Sequence, residues 1–316
     1  MPKSQQIENK LINGIKVDKE NTNVFFNDET HKYYDKNTLN TYISVTTLIN
    51  HYCNQFDEEF WSSYKALEEI LPGDTWSNLR EQMLSTKTFK ESYLEKYNVD
   101  PVLFYTKKQE IKDSYKKTRD EACEKGTAKH LEKELSFYNK DSFDFSSYGI
   151  SNLSGQFFCQ PDYFELDVPR GVYPEYLISV DLGDNLRIAG QMDVLVKDND
   201  DFYIIDYKSN KEIKKRSYFD KKKKKNVMMK FPLNDLEDST WNHYQLQLSL
   251  YAYLLECIRP NVNIKALRIV HLLDDGSEKI MECEYLKEDV QRMLHHYKKE
   301  QKIKSELDRL KPVKIG

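Results

Sequence analysis

The 316-residue chain has no apolar run near the ~18 residues needed to cross a bilayer, so no membrane span is expected. It has little cysteine. Cys53, Cys123, Cys159, Cys257 and Cys283 are odd in number, widely spaced and contain no Cys-x-x-Cys pair. That pattern argues against a disulfide framework and a structural zinc site, and for a reducing compartment. The opening residues, Met1-Pro2-Lys3-Ser4-Gln5-Gln6, lack a signal-peptide core and an Arg-rich leader, so secretion is not expected. No internal repeat is visible. Arginine is scarce, nine of the 48 basic residues. The net charge of −4 argues against a chain that coats nucleic acid indiscriminately, though not against one with a local basic channel.

At 39% hydrophobic and 32% charged residues, the composition is that of a globular chain able to bury a core. Val24-Phe25-Phe26 and His31-Lys32-Tyr33-Tyr34 flank a turn and predict a β-hairpin. Ser44 is placed to cap a short helix starting at Val45. Helical patterns follow over 58–71, 76–85, 87–97 and 102–138, and residues 141–167 read as a connection. Strands are expected over 172–180, 186–197 and 202–208, then a helix over 241–257. A hairpin of 264–273 with 279–285 and a charged amphipathic helix over 286–310 close the chain.

Two segments carry the chemistry. Gly190-Gln191-Met192-Asp193 lies in one expected strand and Asp206-Tyr207-Lys208 ends the next, across the turn Asp198-Asn199-Asp200-Asp201. A hairpin of that length can bring both carboxylates to one end of a sheet, with Lys208 beside Asp206 by the two-residue alternation of strands. Two acids and a lysine suit metal-assisted phosphodiester cleavage: hard oxygens for a divalent ion, and a cation for transition-state charge. The backbone carbonyl of Tyr207 is a further oxygen between them. Asp-x-Lys alone fits a strand-end salt bridge better than a catalytic site.

Three further motifs precede or follow. Gly126-Thr127-Ala128-Lys129-His130 lies in the long helical run, and His130 is either a helix residue of no special role or a ligand at the sheet mouth. Glu175 falls in the strand before the hairpin as a candidate third acid. Gln247 and Tyr251 share a helix face at i and i+4, with Gln245 a rival for the glutamine's role. From Asn210 to Lys230 the chain holds ten Lys or Arg against two acids. This run, with Lys211, Lys214, Lys215 and Arg216 at its start, is either a solvated loop or a phosphate-tracking arm. Tyr218, Phe219, Phe231 and Trp241 beside it suit base stacking or core packing.

Taken in order, Gly126-x-x-x-His130, Glu175, Gly190-x-x-Asp193, Asp206-Tyr207-Lys208 and Gln247-x-x-x-Tyr251 resemble the RecB-type branch of the PD-(D/E)XK nuclease superfamily, from Lys112 to about Tyr285. Tyr42 to Ile49, with Phe60-Trp61 downstream, and Asp274-Asp275-Gly276-Ser277 are similar to segments of the nucleases grouped with the mitochondrial genome maintenance exonuclease and its phage relatives. The resemblance implies an α/β, restriction-endonuclease-like core with a central mixed sheet flanked by helices, over residues 111–316, plus an N-terminal β-hairpin and mostly helical region over 1–110 that covers the active site. It implies a catalytic centre of Asp193, Asp206, Lys208 and His130 assisted by Glu175. Mg²⁺ or Mn²⁺ would be held by His130, Asp193, Asp206 and the Tyr207 carbonyl. DNA contacts would come from Gln247 and Tyr251, and the basic run would add Lys211, Lys214, Lys215 and Arg216. Related enzymes often carry four cysteines for an iron–sulfur cluster; this chain has no such grouping, so no cluster is expected. The implied activity is exonucleolytic, on single-stranded DNA or DNA with a free end, in the cytoplasm of a bacterial or phage-infected cell, in repair, recombination or replication; the alternatives are a structure-specific endonuclease and a catalytically silent nuclease fold serving as a DNA-binding subunit.

Overall fold

The computed structural model describes residues 10–138, 144–150, 168–220 and 223–310. The chain divides into two compact units, one of residues 1–54, 128–219 and 226–316, the other of 55–127 and 220–225.

The larger unit begins with β1 (Lys10–Ile12), β2 (Ile15–Val17), β3 (Lys19–Glu20), β4 (Val24–Asn27), β5 (Lys32–Asp35) and β6 (Thr41–Ser44), followed by α1 (Val45–His51). The hairpin of Val24 to Tyr34 and the cap at Ser44 form where the sequence puts them. The Ser44 hydroxyl accepts the Thr47 amide and satisfies one of the helix's orphan donors. The three strands before Val24 have too little alternation to announce themselves.

The smaller unit holds α2 (Glu58–Ile70), α3 (Gly73–Thr86), α4 (Ser92–Lys96) and the first part of α5 (Pro101–Tyr138). Its own core gathers Phe60, Tyr64, Leu67, Trp76, Leu79, Met83, Tyr93, Leu94 and Phe104. The helix expected over 87–97 is shorter. Lys87 adopts a left-handed φ of 52° and caps α3, its amide donating to Met83, so helix resumes only at Ser92.

The last turns of α5, from residue 128, belong to the larger unit. A 3₁₀ turn at Ser146–Tyr148 follows; residues 141–143 and 151–167 of the expected connection, with Cys159, lie outside the described residues. Then come β7 (Gly171–Asp181), β8 (Arg187–Asp198), β9 (Asp201–Lys208), the two-residue strands β10 (Phe219–Asp220) and β11 (Lys225–Asn226), α6 (Thr240–Ile258), β12 (Asn263–Leu272), β13 (Glu278–Cys283) and α7 (Lys287–Leu310). The basic run thus contains a short hairpin, of which Lys221 and Lys222 are outside the described residues.

Nine strands form one mixed sheet in the order β13-β12-β9-β8-β6-β5-β4-β3, with β7 also paired to β8. β9 runs antiparallel to β8 and parallel to β12. Its residues 202–207 are buried without a break, as expected of a central strand covered on both faces. Phe202 and Ile204 face a core shared with α1, α6 and α7, while Tyr203, Ile205 and Tyr207 face one shared with Phe137 of α5. The α/β architecture with helices on both faces of a mixed sheet is the expected one. No helix among the described residues is long and apolar enough to cross a membrane.

β8 has different partners along its length. Ile188 and Ala189 pair with β6, and Val194 to Asp198 pair with β9. Between them, residues 190–192 have a ladder partner only in β7, and Asp193 is skipped by the registers on both sides. The sheet opens there, and the predicted site residues line the opening.

Candidate active site

Register aligns three acids. Pro174 pairs with Val194 and Tyr176 with Met192, so Glu175 stands opposite Asp193; Val194 pairs with Ile205, so Asp193 stands opposite Asp206. The row crosses β7, β8 and β9 where the β8–β9 ladder ends and the β7–β8 ladder is interrupted for one position. At Glu175 the backbone takes a φ of 53°, rare for a residue with a Cβ. Regular alternation breaks with it: Tyr173 and Tyr176, three residues apart, pack in the same core cluster. Strain of this kind persists where the surroundings hold it, and it gathers at functional sites.

His130 comes from α5. Its Nδ1 lies 3.4 Å from Asp193 Oδ1, and its ring meets the edge of Tyr207 at 6.1 Å. One ligand atom each from His130, Glu175 and Asp193 lies within 4.8 Å of the others. The other Asp193 oxygen accepts the Tyr207 amide at 2.6 Å. Burial opposes charge on His130, but the Asp193 carboxylate, aided by Asp206, raises its pKa. Burial pushes Glu175 up to about 7, although the Lys19 ammonium, 2.9 Å away, works against the shift.

Asp206 is buried beside this group. Its Oδ1 accepts from Gln247 Nε2 at 3.0 Å, and Lys208 Nζ lies 2.5 Å from its Oδ2. That second contact is a buried ion pair, so Oδ2 is held by the Lys208 ammonium. Burial raises the Asp206 pKa despite Lys208. Lys208 loses from burial, but Asp206 and Asp193 outweigh that and raise its pKa, so it is a cation. Lys208 also donates to Gln247 Oε1 at 3.2 Å and sits over the Tyr244 ring at 4.7 Å.

The donor set suits a divalent cation. Three carboxylates and one imidazole converge, and among the described residues Lys19, Lys208 and His130 offset the carboxylates' repulsion. Hard oxygen donors fit Mg²⁺ or Mn²⁺.

Gln247 and Tyr251, expected to touch DNA, are buried and committed to protein partners. Gln247 bridges Asp206 and Lys208, whereas its rival Gln245 accepts the Glu284 amide. The Tyr251 hydroxyl donates to the Gln191 carbonyl at 2.6 Å, inside the sheet opening. The ring explains Gly190: a Cβ there would stand 2.8 Å from Tyr251 Cε1 and 3.0 Å from Val45 Cγ2. The Tyr207 side chain turns away from Asp206, and its hydroxyl meets that of Tyr148 at 3.1 Å.

Of the basic residues, Lys211 and Lys214 line a pocket of about 490 Å³ with Asn210 and Glu212. Asn210 ties that pocket to the site, since its side chain accepts from Tyr244 and its carbonyl accepts from His271 Nε2, which therefore carries the ring proton. Lys215 lies over Trp241 and Arg216 pairs with Glu237, so neither joins the acids. Tyr218, Phe219 and Phe231 are exposed.

Several contributors gave no usable sequence signal. Lys19 reaches Glu175 from a two-residue strand 156 positions away. Lys129 donates to the Leu272 and Leu273 carbonyls, and Lys133 pairs with Glu278, so both fasten the turn carrying His130 to the β12–β13 hairpin. Lys129 stands next to His130 in the motif, but its partners lie over 140 residues downstream.

A family model described as PD-(D/E)XK nuclease superfamily matches residues 125–314. No curated protein matches. Among six solved chains that match, one described as the crystal structure of SSO0001 is 15% identical with a TM-score of 0.23. That match covers 39% of this chain and 47% of the other, so the chain spans about half of that structure's length.

Proposed function

The chain belongs to the PD-(D/E)XK nuclease superfamily, and from that membership and its site we propose a Mg²⁺- or Mn²⁺-dependent exonuclease acting on single-stranded DNA or DNA ends. The observation that carries the reading is the row Glu175, Asp193 and Asp206 at the opening of the sheet, with Lys208 and His130 beside it. The motif order supports placement in the RecB-type branch, and with it a role in repair, recombination or replication.

When bound, a divalent cation supplies Lewis acidity, drawing charge from phosphoryl oxygens and easing deprotonation of water. Asp193, Asp206, His130 and Glu175 are the side chains that would hold it, with the Tyr207 carbonyl as a backbone candidate. Lys208, a cation fixed by Asp206 and Gln247, stabilises negative charge developing on the phosphoryl group and orients the attacking water; its raised pKa makes it unsuited to be the base. Gln247 keeps Asp206 and Lys208 in register. Lys211 and Lys214 receive the strand's phosphates at the adjoining pocket, and the exposed Tyr218, Phe219 and Phe231 offer stacking faces.

The test is hydrolysis of end-labelled linear and closed circular single-stranded DNA with Mg²⁺, Mn²⁺ or EDTA. The exonuclease degrades the linear strand with metal, leaves the circle whole, and is silent in EDTA. Cleavage of the circle would instead make the enzyme an endonuclease.

A further inference from the structure

The described residues contain a second convergence of metal-ligating side chains, unrelated to the acid row. One ligand atom each from Cys53, Asp238 and His243 lies within 4.8 Å of the others. Cys53 follows the end of α1, Asp238 precedes the Ser239 cap of α6, and His243 is in that helix's first turn. Nearly two hundred residues separate the cysteine from the other two, which is why ligand spacing along the chain gives no zinc signal.

Asp238 is divided between two tasks. Its Oδ2 accepts the Asn54 amide at 2.7 Å and the Asn54 side chain at 2.5 Å, while Oδ1 lies 2.5 Å from His243 Nε2. The Asn54 side chain also donates to the Met228 carbonyl. One carboxylate oxygen is therefore anchored by protein, and the other is aimed at the imidazole with the thiol nearby. Outer hydrogen bonds of this kind orient the ligands of metal sites. An Asp–His hydrogen bond needs no thiol beside it, and Cys53 is buried there, donating to the Ile49 carbonyl at 3.4 Å.

We propose that Cys53, Asp238 and His243 form a zinc site, separate from the nuclease centre, that clips the end of α1 to the start of α6. Thiolate, carboxylate and neutral imidazole carry two negative charges, which neutralise Zn²⁺ where little water reaches. The soft sulfur selects zinc over Mg²⁺, the reverse of the acid row's preference. Binding releases the thiol proton and, because the His243 Nε2 hydrogen is held by Asp238 Oδ1, moves the imidazole proton to Nδ1 so that Nε2 can ligate; three protein ligands leave a fourth position for water. The consequence reaches the active site, because His243 lies one helical turn before Gln247, the residue that holds Asp206 and Lys208.

The full chain, purified without chelator, is analysed for zinc and then titrated with Co²⁺ after zinc removal. A thiolate-to-cobalt charge-transfer band is expected in the wild type and in Asp193→Asn, but not in Cys53→Ser. Asn54→Ala should weaken Co²⁺ binding by about 10–100-fold. Should Cys53→Ser fail to fold, His243→Gln takes its place, and the wild-type spectrum alone remains decisive. No thiolate band in the wild type overturns the site, as does a band that survives in Cys53→Ser.

Discussion

Two regions of the larger unit each gather three metal-capable side chains, and they differ in the donor that sets metal choice, a second carboxylate in one and a thiol in the other. At the sheet opening, His130, Glu175 and Asp193 stand beside the buried Asp206, with strained backbone at Glu175 and compensating charge from Lys19 and Lys208. Between α1 and α6, one thiol, one carboxylate and one imidazole meet, and Asn54 pins the carboxylate. The first gathers hard carboxylate oxygens with Lys19 and Lys208 against them, so it is suited to a divalent ion that must also meet a phosphate. The second has the charge to balance a single soft ion and leaves its fourth position open. Metal-capable side chains within reach of one another do not define a function; their charge balance and the strain around them do.

The largest break in this comparison is Asp206→Asn. Removing the carboxylate charge should lower the rate of DNA hydrolysis by at least about 10³-fold while leaving the zinc site's cobalt spectrum unchanged. Hydrolysis near the wild-type rate would take Asp206 out of the centre. Next, Gln247→Ala should cost roughly 10–100-fold in kcat, since it frees Asp206 and Lys208 from their shared support; an unchanged kcat would show that α6 is dispensable to the site. Smaller again is the double substitution Lys129→Ala with Lys133→Ala, which unfastens the turn bearing His130. About a tenfold loss of kcat with little change in DNA affinity is expected, recovered in part by Arg at both positions.

Gly190→Ala tests the packing beneath the site. Its Cβ would collide with Tyr251 and Val45, and denaturant unfolding should show a loss of about 1–3 kcal/mol. The smallest effect is on pH. Glu175 has a folded pKa raised by burial to about 7, so its contribution to stability is full below its ordinary value and is lost as pH rises through about 7. The melting temperature of metal-free protein should therefore fall between pH 5 and 8 by more than that of Glu175→Gln. Equal slopes in the two proteins would remove Glu175 from that balance.

Much of the site was legible in the chain, for physical reasons. Asp193, Asp206 and Lys208 lie on a hairpin with a two-residue turn, so local alternation and short separation bring them together. His130 was legible only through its motif, because nothing local says which way a 38-residue helix turns one of its residues. Lys19, Lys129 and Lys133 were not legible, since each acts across more than 140 residues through sheet order. Gln247 and Tyr251 were located correctly as a pair on one helix face, but their burial against Asp206 and the Gln191 carbonyl depends on where the sheet opens. The shortened helix before Tyr97 turned on one left-handed residue, Lys87, whose side chain gives no hint of that conformation.

Lys208 is the residue proposed as the cation that stabilises the cleavage step. The decisive measurement is single-turnover cleavage of end-labelled linear single-stranded DNA by Lys208→Ala at saturating Mg²⁺, with DNA affinity measured on the same protein. Cleavage slower by at least about 10³-fold, with affinity within a few-fold of wild type, is the predicted result. Cleavage at the wild-type rate would contradict it.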